Sequence, residues 1–176
     1  MKVRILFQWL LPVLAVVFFS CNPQKRLAKK QKRYMADVYT EMKQAVNEAE
    51  VTILNDTVKV LFPEHLLFKK NESEIAAETF PLMERFAKAL NKYSKTSILI
   101  NGYTDMTGGA EFNQQLSKER ADAARATLLK YAVNDGRLFT WGLGNKNPIA
   151  DNSSEDGRRK NRRVEFIMLY AYEPEK

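Results

Sequence analysis

The sequence predicts an α/β sandwich, one β-sheet covered on one side by helices, and three observations predict it. From residue 51 onward, short runs of strand-like residues take turns with longer stretches of helical periodicity. The first two runs, Val51-Thr52-Ile53-Leu54 and Thr57 to Phe62, alternate around the turn-prone pair Asn55-Asp56 and read as a β-hairpin. A hydrophobic content of 45% over 176 residues supplies one ordinary domain with a core and leaves room for an appendage.

Taken in order, the chain opens with a short basic segment, Met1 to Arg4, and an apolar run from Ile5 to Ser20 broken by Gln8 and Pro12. A membrane span needs roughly 20 apolar residues. Residues 1–20 therefore read as a secretory signal peptide. Phe18-Phe19-Ser20-Cys21 puts a small residue just before a cysteine where the apolar run ends. This resembles the lipobox of bacterial lipoproteins, with Phe18 where Leu is usual and Phe19 where a small residue is usual. The resemblance implies lipidation of Cys21 by acyl chains such as palmitate, each buried methylene contributing about 0.8 kcal/mol to membrane anchoring. Asn22, not Asp, follows the cysteine, which in the enteric pattern is compatible with outer-membrane sorting.

Cys21 is the one cysteine, so no intrachain disulfide can form, and the single histidine, His65, argues against a multi-histidine metal site. The net charge of +7 is localised. Residues 1–33 hold eight Lys and Arg and no acid, leaving 20 cations against 21 acids in the rest of the chain. A nucleic-acid-binding domain should carry its basic surface on the folded part, so no nucleic-acid partner is expected. Residues 21–33, the cysteine and a basic linker, lack apolar periodicity; Asn22 to Arg33 would span about 40 Å if extended. Residues 34–50 turn helical, with Met35, Val38, Met42 and Val46 on one face, available to the domain or to a partner chain.

The domain proper spans 51–174. After the hairpin, Pro63 breaks the strand, and Phe68 precedes a polar loop and reads as core before ligand platform. A helix is expected from about Ala77 to Tyr93, with Thr79 as N-cap, Pro81 in the first turn and Leu82, Phe86, Ala89, Leu90 and Tyr93 inward. Thr96 to Asn101 is a strand, and a helix follows from about Ala110 to Tyr131, rich in Ala and Leu. Arg137 to Gly142 and Arg162 to Tyr170 complete the strands. The Gly142-Leu143-Gly144 pair lacks the third glycine and trailing acid of a nucleotide-binding loop.

The strand at 96–101 delivers a short Gly- and Thr-rich loop with Asp105 at its mouth and Arg120 on the helix beyond. An acid and an arginine so placed can grip a small zwitterion, the carboxylate holding an ammonium and the guanidinium a carboxylate. The run Gly102-Tyr103-Thr104-Asp105, then Gly108, Asn113, Leu116-Ser117 and Arg120-Ala121, resembles the OmpA-like C-terminal domain. A second element, Gly157-Arg158-Arg159-Lys160-Asn161-Arg162-Arg163-Val164, adds to the resemblance, which covers roughly residues 57–170. That family binds peptidoglycan and includes the peptidoglycan-associated lipoproteins of outer membranes; Tyr103 stands where it usually has His.

The resemblance implies a βαβαβ core with a further strand, and peptidoglycan as the ligand, gripped at the diaminopimelate residue of its stem peptide. It assigns Asp105 and Arg120 to the diaminopimelate, Thr107 and Gly108 to the shape of the loop, and Asn113 to the helix start or the ligand. Arg162 would add a second cation while Arg163 braces the fold, because strand alternation puts the two on opposite faces. The expected protein is a non-catalytic lipoprotein of the outer membrane, anchored by lipid at Cys21, its domain facing the periplasm, with no cofactor. An envelope adaptor working mainly through a protein partner is the alternative. A wall hydrolase built on Asp105 and Glu111 is disfavoured because nothing else in the chain builds a sugar cleft.

Overall fold

A computed structural model describes residues 23–69 and 72–170. The apolar run and Cys21, with its expected lipid, lie outside the described residues, as do 171–174 at the end of the expected domain. The chain runs through helix α1 (Pro23–Ala45), strands β1 (Glu50–Leu54) and β2 (Thr57–Pro63), the short helix α2 (Glu64–Leu67) and helix α3 (Phe80–Lys92). It continues with β3 (Thr96–Tyr103), α4 (Ala110–Lys130), β4 (Leu138–Gly142), α5 (Glu155–Asn161) and β5 (Arg163–Tyr170). The sheet order is β1-β2-β5-β3-β4, with β3 and β4 parallel and the other neighbours antiparallel. The α/β sandwich expected from the sequence is the fold observed.

Strand alternation divides the sheet into two faces. Val58, Val60, Phe62, Ile98, Ile100, Val164, Phe166 and Met168 share the face packed beneath the helices, and all are buried. At its centre Phe62, Phe86 and Phe166 meet edge to face, with ring centroids 5.4, 5.5 and 4.9 Å apart. Such geometry suits the ring quadrupoles and adds to the burial of three large apolar groups.

Helix α1 departs from expectation. Its stripe Met35, Val38, Met42 and Val46 is fully buried on this domain, which settles what the stripe packs against. The described helix also includes Pro23 onward, so residues 23–33, expected to be a basic linker, are helical. Lys, Arg, Gln, Ala and Leu fill these turns, and all are strong helix formers, so propensity sustains the helix where apolar periodicity is missing. Thr79 sits at the N-cap position of α3 without capping it; its hydroxyl donates instead to the Leu66 carbonyl at 3.0 Å. Helices α2 and α5 were not anticipated.

The layers meet most closely where β3 passes under α4. A Cβ at Gly102 would lie 1.9 Å from the Ser117 carbonyl oxygen, a backbone atom with nowhere to go. Gly102→Ala is expected to cost about 1–3 kcal/mol or more by overpacking, read as a lowered urea midpoint with unchanged m-value.

Candidate functional site

The site lies at the end of the sheet where β2, β3 and β5 bring Pro63, Tyr103 and Arg163 side by side. Beyond Tyr103, the Thr104 amide donates to the Gly144 carbonyl at 2.9 Å, and the chain turns through Asp105. The Asp105 carboxylate closes the loop on itself, accepting from the Thr107 amide at 2.8 Å and from the Thr107 hydroxyl. Gly108 holds a φ of +85°, a left-handed conformation that any side chain would strain. Asn113, buried in the first turn of α4, donates its side-chain amide to the Thr107 carbonyl at 2.8 Å. Asn113 is thus a staple between helix and loop.

Asp105, Thr107, Asn113, Arg120 and Arg162 line one cavity of about 450 Å³, within the ordinary range for small-ligand sites. Gly108 shapes its loop. The six residues singled out from the sequence therefore fall together, and the ion pair to Asp105 comes from Arg162. Arg162 bonds Asp105 at 2.6 Å, Glu64 at 2.8 Å and Glu155 at 3.0 Å. Arg120 pairs with the other oxygen of Glu64 and donates to the Glu72 carbonyl at 3.1 Å. Glu64 thus ties both guanidiniums together.

Burial sets the electrostatics. Burial disfavours charge on Arg120 and holds its pKa below the ordinary arginine value, although Glu64 works the other way. Burial likewise opposes ionisation of Asp105, but the hydrogen bonds from Thr107 and Arg162 outweigh it and hold the carboxyl below the usual aspartate range. A depressed folded-state pKa contributes stability above the unfolded value of about 3.9, and that contribution is lost as pH falls through the folded value. The Asp105 contribution is therefore expected to fade below about pH 4, and Asp105→Asn to flatten that part of the stability–pH curve.

Phe68 serves both readings weighed for it: it is buried, it lines the cavity, and Arg120 lies 5.4 Å over its ring. Tyr103 does not line the cavity. Its ring is stacked under Arg163 at 3.7 Å, burial raises its pKa, and Arg163 bonds Glu165 at 2.8 Å and the Asn147 carbonyl at 3.1 Å. Arg162 and Arg163 accordingly serve opposite sides of the sheet, one in the site and one in the frame. Thr104 Oγ1 is the buried side-chain polar atom left without a partner among the described residues, and Thr104 lines the cavity.

Sequence reasoning missed Glu64, Glu155 and Phe112. Glu155 was within reach: Ser154 caps α5, with acids in its first turn and Arg158, Arg159 and Lys160 in its last, a recognisable set of helix boundary signals. Phe112, at 64% exposed, is an apolar rim on the cavity. Nothing in local spacing marks Glu64, which meets Arg120 from 56 positions away.

A five-stranded mixed sheet, helices on one face and an acid–arginine cavity at one end define the class. The chain belongs to the OmpA family, whose profile matches residues 67–162. Among curated proteins it is similar to the probable lipoprotein YiaD of Escherichia coli, at 36% identity over 118 residues, covering 67% of this chain and 54% of that protein. The chain thus spans about half the length of that relative. Its fold is similar to the peptidoglycan-associated lipoprotein of Burkholderia pseudomallei, with TM-score 0.54, 28% identity and coverage of 58% of this chain and 87% of that one. A MotB-like protein of Desulfovibrio vulgaris, at TM-score 0.75 and 21% identity, covers 86% of this chain and 100% of its own, and shows the shared fold.

Proposed function

We propose that this protein binds peptidoglycan without catalysis, gripping the diaminopimelate of the stem peptide, and holds the outer membrane to the cell wall through lipid at Cys21. The observation that carries the reading is the cavity in which Asp105, Arg120, Arg162 and Glu64 stand together. Diaminopimelate offers both an ammonium and a carboxylate on its side-chain end, and this cluster presents both signs of charge within one small volume. The ligand carboxylate exchanges with Glu64 on the guanidiniums, where bidentate pairing is available, and the Thr104 hydroxyl supplies a further partner for the peptide. Similarity to a probable lipoprotein and to a peptidoglycan-associated lipoprotein supports the same reading.

Charge-based grip on a partly open site implies modest, salt-sensitive affinity, raised by the many wall sites within reach of a tethered domain. The test is co-sedimentation of the protein from Pro23 onward with isolated sacculi. Wild type is expected to pellet with diaminopimelate-type sacculi and to pellet weakly with sacculi whose stem peptides carry lysine, which lacks the second carboxylate. Equal pelleting with both wall types would remove diaminopimelate as the ligand, and no pelleting with either would remove the wall.

A further inference from the structure

The first turns of α1 lie at the opposite pole from the cavity. Gln31 sits beside Asp56, Thr57, Leu169 and Tyr170, at the far end of β2 and β5, and the Lys95 amide donates to the Tyr34 hydroxyl at 3.1 Å. The helix segment before Gln31 continues beyond the sheet, about 12 Å of helix at 1.5 Å per residue, with side chains 24–30 exposed.

That projecting segment is charged in an unusual way. Lys25, Lys29 and Lys32 form one row at helical spacing, Arg26, Lys30 and Arg33 the adjoining row, and no acid accompanies them. Lys25 and Arg26 stand in the first turn, at the positive end of the helix dipole, where cations are unfavourable and acids are the residues that stabilise. A helix start that breaks the local rule so consistently finds no ion pair for these cations among the described residues. Leu27, 54% exposed, lies on the same turns.

We propose that the exposed start of α1 is an electrostatic contact for an anionic phospholipid surface. Its position selects that partner over other polyanions. The basic turns are the first described residues after the apolar run and Cys21, and they point away from the cavity assigned to the wall. Lysine and arginine close to an anionic leaflet are drawn to it within about a Debye length. The leaflet supplies the negative charge that the helix start lacks, and the contact sets the cavity at the outer pole of the molecule.

The test uses the full chain in vesicles of phosphatidylcholine alone or with about a third phosphatidylglycerol, reading amide hydrogen exchange over residues 24–33. Exchange is expected to slow roughly tenfold on the anionic vesicles, and the difference to vanish in about 0.5 M salt. The variant Lys25→Gln, Arg26→Gln, Lys29→Gln, Lys30→Gln is expected to exchange alike on both vesicles. All four side chains are exposed, so its folding, checked by thermal melt, is expected to match wild type. Equal exchange of the wild type on the two vesicles overturns the proposal. Protection that appears only when sacculi are added overturns it as well, and assigns the cations to the wall polymer.

Discussion

Arg162→Ala is expected to abolish co-sedimentation with sacculi and to lower stability by about 2–4 kcal/mol. The side chain bonds three carboxylates, from Asp105, Glu64 and Glu155, at 2.6, 2.8 and 3.0 Å. Removing it leaves the Asp105 carboxylate, 5% exposed, without a guanidinium and with only the Thr107 bonds to hold its charge. Breaking one side of a buried pair costs more than the pair contributes, because the survivor remains desolvated. Arg162→Lys keeps the charge but cannot fork toward three partners, so partial recovery of stability without full recovery of binding is expected. Urea titration and the sacculus assay on the same samples check both halves, and an alanine variant that still pellets like wild type would remove Arg162 from the ligand site.

Phe166→Ala is expected to destabilise the domain by about 3–5 kcal/mol, comparable to the whole margin of many domains. Phe166 is fully buried on the central strand, flanked across the ladders by Val60 and Ile100 and packed edge to face on Phe62 and Phe86. Neighbours fixed in three elements cannot all move to fill the space. Its denaturant midpoint should fall far more than that of Phe166→Leu, which retains most of the apolar volume. A loss under about 1 kcal/mol would mean that the sheet and α3 close over the cavity.

Most of the fold is legible in the sequence, for physical reasons that differ from element to element. The hairpin shows through Asn55-Asp56, and Asn55 indeed takes a positive φ of 56°. The stripe of α1 shows through the spacing of Met35, Val38, Met42 and Val46, whereas its basic turns do not, because propensity leaves no periodic trace. The loop residues from Asp105 to Asn113 are contiguous with the strand and helix that place them, so one short stretch announces them. The charge pairing is another matter. Which arginine meets Asp105 depends on how β5 enters the sheet, and Glu64 meets Arg120 and Arg162 only after β2 and β5 pair. Long-range partners of this kind have no local signature.

The central position of β5 governs when this molecule can exist at all. The last strand among the described residues lies between β2 and β3, so the hairpin and the β3–β4 pair belong to one sheet only once residues 163–170 bridge them. A chain cut before Arg163 loses Phe166 from the core and Arg162 from the site's final geometry together. Synthesis from the N-terminus therefore yields no finished sheet part-way. Pairings this distant in sequence close slowly, and the cavity is among the last features to appear.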